Sequence, residues 1–418
     1  MPGVYLDHNA TTPLDPRVRD ALLPWLGGRF GNPSSIHRIG QAARNAVEEA
    51  REHVAALIGG RPPEVVFMAS GTEANNTVVA SALAGALRSG GVGAKGAMGA
   101  KGAMGAIGGT GGHLVISAIE HPSVRQAAAR AERAGVEVTR VPPGEDGVVP
   151  AAAMIAALRP DTVLACLMLA NNEVGTLQPV AAVAAECRER GIPLLCDAVQ
   201  AVGKVPVDTS LLGVDLLVLG AHKFGGPLGA AALWIRDGVE VESLLAGGSQ
   251  ERRRRAGTEN VPAIVGLGAA AALAQEEVGG QLRPRQLAAL RDRFEAGLDA
   301  IPGAIVHCRT APRLPNTSHV ALPGVEGEAL LIRLDLAGFA VSTGSACSSG
   351  TVEPSKTLLA MGLPAEEALS SIRVSFGVAN RPAEVDLFLA ALAREVAALR
   401  RLTGVAAIPS AALAAARE

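Results

Sequence analysis

The sequence predicts an α/β fold: a large domain built on a mostly parallel, seven-stranded sheet, followed by a smaller α+β domain. Three observations predict it. Seven short, β-rich apolar runs recur between residues 65 and 235, most of them separated by amphipathic or Ala-rich stretches of helix length. That rhythm is the signature of a largely parallel sheet covered on both faces. After about residue 262 the pattern changes to a long helical stretch, two shorter strands and a closing helix.

Taken in order, the runs are Val65–Met68, Leu114–Ser117, Glu137–Val141, Thr162–Leu169, Leu194–Cys196, Leu216–Leu219 and Ala231–Ile235. Segments such as Val124–Ala134 and Val180–Arg190 supply helices between them. Beyond them, a helical stretch through Leu298 leads to strands near Asn316–Ala321 and Ile372–Ser375 and to a helix from about Pro382 to Leu402. The expected organisation is a large domain over 15–262, a small domain from 1–14 and 263–402, and an Ala-rich tail, 403–418. Residues 89–112 carry a tandem Ala-Lys-Gly-Ala-Met-Gly. Such Gly density is costly to order, and the segment lacks the Gly-Lys-Ser/Thr ending of a phosphate-binding P-loop. It is expected as a flexible surface insert.

A chain of 418 residues is long enough for a large core, and with 2% aromatics that core must rely on Ala, Val and Leu. Charge is balanced, 38 Lys+Arg against 40 Asp+Glu, so nothing global points to nucleic acid or an anionic membrane. The run Arg252-Arg253-Arg254-Arg255 is a local exception that reads as a solvated loop, since no aromatics are interleaved. Met1 to Asp7 shows no secretory pattern, and the apolar window Val261–Ala274 is interrupted by Pro262, Gly266 and Gly268, which suits a buried helix. Five cysteines without a Cys-x-x-Cys pair argue against a disulfide framework or a zinc site and fit a reducing cytoplasm.

Ligands on such sheets bind beyond the carboxyl ends of the strands, and the polar motifs fall there. Lys223 follows Leu216–Leu219, and Asp197 follows Leu194–Cys196 with Gln200 three residues on. A lysine and a buried carboxylate at neighbouring strand ends suit pyridoxal phosphate, which needs a Schiff-base amine and an acid for its ring nitrogen. Ser70-Gly71-Thr72-Glu73 opens a helix and offers an anion site, although taken alone it reads as a capping box. His121 stands at a strand end where an imidazole stacks on a ring or simply turns the chain. Asn171-Asn172-Glu173 reads equally as a turn with a cap or as amides that bind a substrate carboxylate or a cofactor ring oxygen, with Asn172 a candidate for both cofactor and substrate. Arg373 alternates with apolar residues on a strand, where a guanidinium binds a carboxylate bidentately or snorkels. Cys347, among small residues and flanked by glycines, looks like a thiol on a mobile loop, whereas the other cysteines look like core filler.

Together these segments resemble the cysteine desulfurases of the class V aminotransferase group, with the pyridoxal-phosphate transferase fold type I. The resemblance runs from Tyr5-Leu6-Asp7-His8-Asn9-Ala10-Thr11-Thr12-Pro13 through Ser70 to Asn76, Asn171 to Gly175, Asp197-x-x-Gln200, Ala221-His222-Lys223 and Ala256-Gly257-Thr258 to Ser345-Ala346-Cys347. The spacing after Cys347 is similar to the long-loop branch that feeds iron–sulfur assembly or nitrogenase maturation. By this resemblance Lys223 carries the cofactor and moves protons, and Asp197 pairs the ring nitrogen. Gln200 binds the ring hydroxyl and His121 stacks on the ring. Thr72, His222 and a second subunit's Thr258 hold the phosphate, which implies a homodimer with shared sites. Asn172 and Arg373 bind the carboxylate of L-cysteine, and Cys347 takes the sulfur as a persulfide and passes it to an acceptor or scaffold protein. Selenocysteine lyase, another class V enzyme and a non-catalytic sulfur carrier are the alternatives. Two positions depart from the family: Gly220, where serine is usual in the phosphate cup, and Gly225, where tyrosine is common. The first implies weaker cofactor retention.

Overall fold

Twelve strands organise the described part of the chain, residues 3–88, 112–343 and 353–403 of a computed structural model. They are β1 (Val4–Tyr5), β2 (Val65–Met68), β3 (His113–Ser117), β4 (Glu137–Val141), β5 (Thr162–Cys166), β6 (Leu194–Asp197), β7 (Leu216–Gly220), β8 (Ala231–Ile235), β9 (Ile305–Val306), β10 (Thr317–Ala321), β11 (Phe339–Ala340) and β12 (Ser371–Ser375). Seven form one sheet in the order β2-β8-β7-β6-β5-β3-β4. The β4-β3-β5-β6-β7 ladder is parallel, and β8 runs antiparallel between β7 and β2.

Both faces of this sheet are covered. Val65, Phe67, Val115, Leu217 and Leu219 enter one core, while Val66, Met68, Leu114, Leu216 and Val218 enter another. The alternation is the two-residue period of a strand with helices on each side. The fold is therefore the α/β class the sequence predicts.

Strand β5 ends three residues before the predicted Leu169. Leu167 and Leu169 still donate backbone bonds to Leu195 and Asp197, but the Met168 N–H is taken by the Glu120 carboxylate where a neighbouring strand would continue. The single helix expected through Leu298 is two, Val261–Gly279 and Leu282–Gly297, divided at Gly280 and at Gln281, whose φ of 58° breaks the helical path. The first of these buries Val261, Ile264, Leu267 and Ala270 in the core that also holds Val18, Val47 and Val54. Although long and apolar enough to cross a membrane by composition alone, it is a core helix of this packing. By packing, the change of core thus comes near Gly280, beyond the expected 262/263 boundary.

The second core gathers Leu290, Phe294, Val320, Ile372, Phe388 and Leu392 with Leu6 from the N-terminal segment. Its sheet is antiparallel, in the order β12-β10-β9, while β1 pairs in parallel with β11. Consequently residues 7–12 run from the second core to the strand ends of the first. The Gly-rich insert and Cys347 lie outside the described residues.

Candidate active site

The polar motifs converge at the carboxyl edge of β5, β6 and β7, where β12 and the N-terminal segment meet them. Lys223 ends a short 3-10 turn, Ala221–Lys223, that begins as soon as β7 stops. Its Nζ donates to the carbonyls of Asn9 at 2.6 Å and Ala10 at 2.7 Å. Burial, reinforced by the Arg373 guanidinium and opposed by Asp7 and Asp197, brings its amine down to about 8. A fraction of the lysine is therefore an uncharged nucleophile near neutral pH.

Asp197, the last residue of β6, is buried. One carboxylate oxygen accepts from Asn75 Nδ2 at 2.8 Å and the other from the Val199 N–H at 3.0 Å. Both donors are neutral, and no ion pair among the described residues uses this carboxylate. A buried anion of this kind suits a cationic ring N–H.

Asn75 Nδ2 also donates to Ser123 Oγ at 2.9 Å, and Ser123 meets His121 Nδ1 through its hydroxyl at 2.8 Å and its N–H at 3.2 Å. Because a backbone N–H only donates, Nδ1 of His121 is an acceptor and the ring proton resides on Nε2. Burial and the charges of Lys223 and Arg125 hold this imidazole below its ordinary value, against the pull of Asp197. A relay of hydrogen bonds thus joins Asp197 to His121, the N-cap of the helix Pro122–Arg133.

The paired asparagines divide their roles. Asn171 is the cap: its Oδ1 accepts from the N–H groups of Glu173 and Val174, and its Nδ2 donates to Ile119 O. Asn172 faces the site, where its carbonyl accepts from Arg373 Nη1 at 3.0 Å. Arg373 also pairs with Asp7 at 2.6 Å, while its buried Nε has no partner. That N–H is a ready donor for a substrate carboxylate. Glu173 accepts from Ser355 Oγ at 2.5 Å and Thr357 Oγ1 at 2.7 Å, which pins the chain after residue 352 beside this turn.

Of the residues expected at the phosphate, Thr72 is exposed in the first turn of the helix Gly71–Arg88. Ser70 caps the helix, with Glu73 N donating to Ser70 Oγ at 3.1 Å, but the Glu73 carboxylate reaches one residue further back than in a capping box and accepts from Ala69 N at 2.7 Å. His222 Nδ1 lies 3.2 Å from Thr11 Oγ1, and burial with two nearby lysines lowers its pKa to about 4. Thr258 is exposed on the loop three residues after Arg255, which pairs with Glu73 at 2.9 Å. Among the described residues no hydrogen bond ties Thr258 to the other candidates of its own chain. Gln200 donates to Asn9 O at 2.9 Å and accepts from Lys204 Nζ at 2.7 Å.

Asn9, Asn75, Lys204 and Asp7 were not singled out by sequence reasoning. Asn75 offered a signal, three residues after Thr72 and hence on the same helix face. Lys204 offered another, as a lysine in the apolar run Ala201-Val202-Gly203-Lys204-Val205.

The donor set fits pyridoxal phosphate: a perturbed lysine, a buried acid without a cation, an imidazole and a helix N-terminus. The profile of the class-V aminotransferases matches residues 4–101 and 89–388. The chain belongs to the class-V aminotransferase family. Within that family its relatives are cysteine desulfurases. It is 41% identical over 401 residues to "Cysteine desulfurase IscS" of Methanosarcina thermophila, covering 96% of this chain and 94% of the relative. It is 43% identical over 406 residues to "Cysteine desulfurase" of Cereibacter sphaeroides, covering 96% and 98%. Among solved structures, a "NIFS-LIKE PROTEIN" superposes with a TM-score of 0.84 at 32% identity, over 94% of this chain and 99% of the other. "SspA in complex with cysteine" matches with a TM-score of 0.75 at 30% identity, over 89% and 98%. These class-V enzymes depend on pyridoxal phosphate, and so does this chain.

Proposed function

We propose that this class-V chain is an L-cysteine desulfurase that converts L-cysteine to L-alanine and takes the sulfur onto Cys347. The observation that carries the reading is that Lys223, its amine at about 8, feels both the buried Asp197 and Arg373, whose Nε is unpartnered. When bound, pyridoxal phosphate supplies a ring that holds negative charge while the carbon–sulfur bond breaks.

The remaining work falls to the chain's own residues. Arg373 and Asn172 hold the substrate carboxylate, and Asp197 holds a proton on the ring nitrogen. Gln200 donates to the ring hydroxyl, and His121 lies against the ring. Thr72 and His222 hold the phosphate, with Thr258 supplied by the second subunit of a homodimer. Lys223 Nζ moves protons at the substrate carbon. The Cys347 thiolate attacks the substrate sulfur; the carbon–sulfur bond breaks, the carbon gains a proton, and a persulfide forms on Cys347. L-cysteine and one thiol thus give L-alanine and one persulfide, with no external oxidant. A scaffold or carrier protein of iron–sulfur assembly then receives the sulfur, in a cytoplasm reducing enough to keep the thiol free.

The test is Cys347→Ser with L-cysteine and a reductant. The expected result is a retained visible cofactor band with sulfide release abolished. Sulfide and alanine formed at the parent rate contradict the reading.

A further inference from the structure

Lys204 is the one lysine of this site that the proposed chemistry does not use. It follows Asp197 by seven residues and is 4% exposed. Among the described residues no carboxylate lies within ion-pair distance of it. Its surroundings are instead cationic: Lys223, Arg373 and Arg283 all act on it electrostatically. A buried, unpaired ammonium beside three cations is among the costliest placements a lysine can have. Its retention calls for a purpose other than charge pairing.

The hydrogen bonds show what it does. Nζ donates to Gln200 Oε1 at 2.7 Å and to Asn9 Oδ1 at 3.2 Å, both amide oxygens. Burial and the neighbouring cations push its pKa down, and even a neutral amine keeps two N–H groups for these two acceptors. Because an amine nitrogen can accept as well as donate once it is neutral, the other end of the amide decides which atom of Gln200 faces it. On its other side, Gln200 meets the Asn9 carbonyl, which only accepts, at 2.9 Å. The amide is therefore fixed from both ends, and its second N–H is the donor left for the cofactor's ring oxygen.

Asn9 is itself locked. Its Nδ2 donates to Thr317 Oγ1 at 2.9 Å and Asn172 O at 3.2 Å, and its Oδ1 also accepts from Asn316 Nδ2 at 3.1 Å. Without Lys204, Gln200 Oε1 becomes a buried acceptor with no donor, and the side chain loses one of the two contacts that hold it in place.

We propose that Lys204 is a positioning residue, a buried donor that orients the Gln200 amide so that its N–H, not its oxygen, meets the ring oxygen of pyridoxal phosphate. This rests on the desulfurase reading only through the cofactor. A donor on the ring oxygen stabilises negative charge there, so its loss raises the pH at which the bound cofactor's visible band changes.

The test compares holoenzyme and Lys204→Met by absorbance between pH 6 and 10. The expected result is a midpoint raised by about one pH unit, the worth of one hydrogen bond to a charged oxygen. Lys204→Gln, which keeps a terminal N–H donor, should move back towards the parent. In a Gln200→Ala background, Lys204→Met should shift the midpoint no further. Lys204→Ala carries the same expectation should the methionine variant fail to fold. A variant that loses thermal stability but keeps the parental midpoint overturns the proposal, as does an equal shift without Gln200. A parent protein with no cofactor band would instead overturn the desulfurase reading, so the two failures are distinct.

Discussion

Replacing Gly220 by serine probes the phosphate side of the pocket most directly, because the backbone there already accepts a side chain. Gly220 has φ −134° and ψ 124°, an extended conformation open to any residue. A Cβ at this position would lie 3.6 Å from Val199 Cγ1, 3.7 Å from His222 Cδ2 and 3.9 Å from Val199 Cγ2, all ordinary contacts. The substitution therefore adds a hydroxyl beside His222 without displacing anything. A hydrogen bond to a charged group contributes about 1.5–3 kcal/mol, and ordering one serine rotamer costs a fraction of that. The net of about 1–2 kcal/mol corresponds to roughly tenfold tighter cofactor binding. The assay is titration of the apo protein with pyridoxal phosphate, followed by absorbance, for parent and Gly220→Ser at one ionic strength. Loss of glycine flexibility in the unfolded chain should also stabilise the apo variant slightly, by a few tenths of a kcal/mol up to about 1. A variant that gains stability but binds the cofactor no more tightly would refute the reasoning, because the hydroxyl would then not reach the phosphate.

Two further outcomes follow from buried carboxyl groups. Glu251 receives both Arg51 Nη groups at 2.8 Å and the Phe67 N–H at 2.8 Å, with both ion-pair partners buried. Glu251→Ala leaves that buried guanidinium with only the partly exposed Glu48, 3.2 Å from its Nε, and should cost about 3–5 kcal/mol by denaturant unfolding; a loss below 1 would contradict the account. Glu120 is pushed up to about 7, chiefly by burial, while Ser117 Oγ and the Met168 N–H both donate to its Oε1. A raised folded-state pKa contributes stability that is full below the unfolded value of 4.5 and is lost as the pH rises through 7. Glu120→Gln keeps both bonds and removes the titration, so it should stabilise by about 1–2 kcal/mol at pH 8, with the gain shrinking towards pH 5. Melting curves at the two pH values decide it, and a pH-independent difference would count against the raised pKa.

Much of the fold was legible because a strand buried on both faces leaves a nearly continuous apolar run. Val65–Met68 and Ala231–Ile235 are such strands and have the bounds expected from their sequence, as does the more exposed edge strand Glu137–Val141. The errors came where a polar partner or a backbone torsion decides the end of an element. The Glu120 carboxylate claims Met168 N beside β5, and the positive φ of Gln281 splits a helical pattern that looks continuous in one dimension. The packing of Val261–Gly279 against the first core was equally hidden, since an Ala-rich helix carries no mark of which core it joins. Gly225 is a related case. Its φ of 93° lies in the region that favours glycine, so the departure from tyrosine here is one the backbone accommodates.

Lys223 and Asp197 were visible in the sequence because each is a charged residue placed immediately after a buried strand, where a charge is costly without a task. Asn9 was not, because an asparagine in an N-terminal segment costs nothing until its partners are known. Those partners are remote: Asn172, Gln200, Lys204, Lys223, Asn316, Thr317 and the Ser375 hydroxyl all bond to it. They come from the strand ends of the large sheet and from both β10 and β12. The side chain of Asn9 takes Lys204, Asn172, Asn316 and Thr317, while its main chain takes Lys223, Gln200 and Ser375, so one residue sets the position of the large-sheet lysines relative to the strand that carries Arg373. The distance between the Lys223 amine and the Arg373 guanidinium is therefore held by buried hydrogen bonds that cross between the two cores, and not by either core alone. Such a network is high in cost if any member is lost, because each remaining group is left unsatisfied at low dielectric.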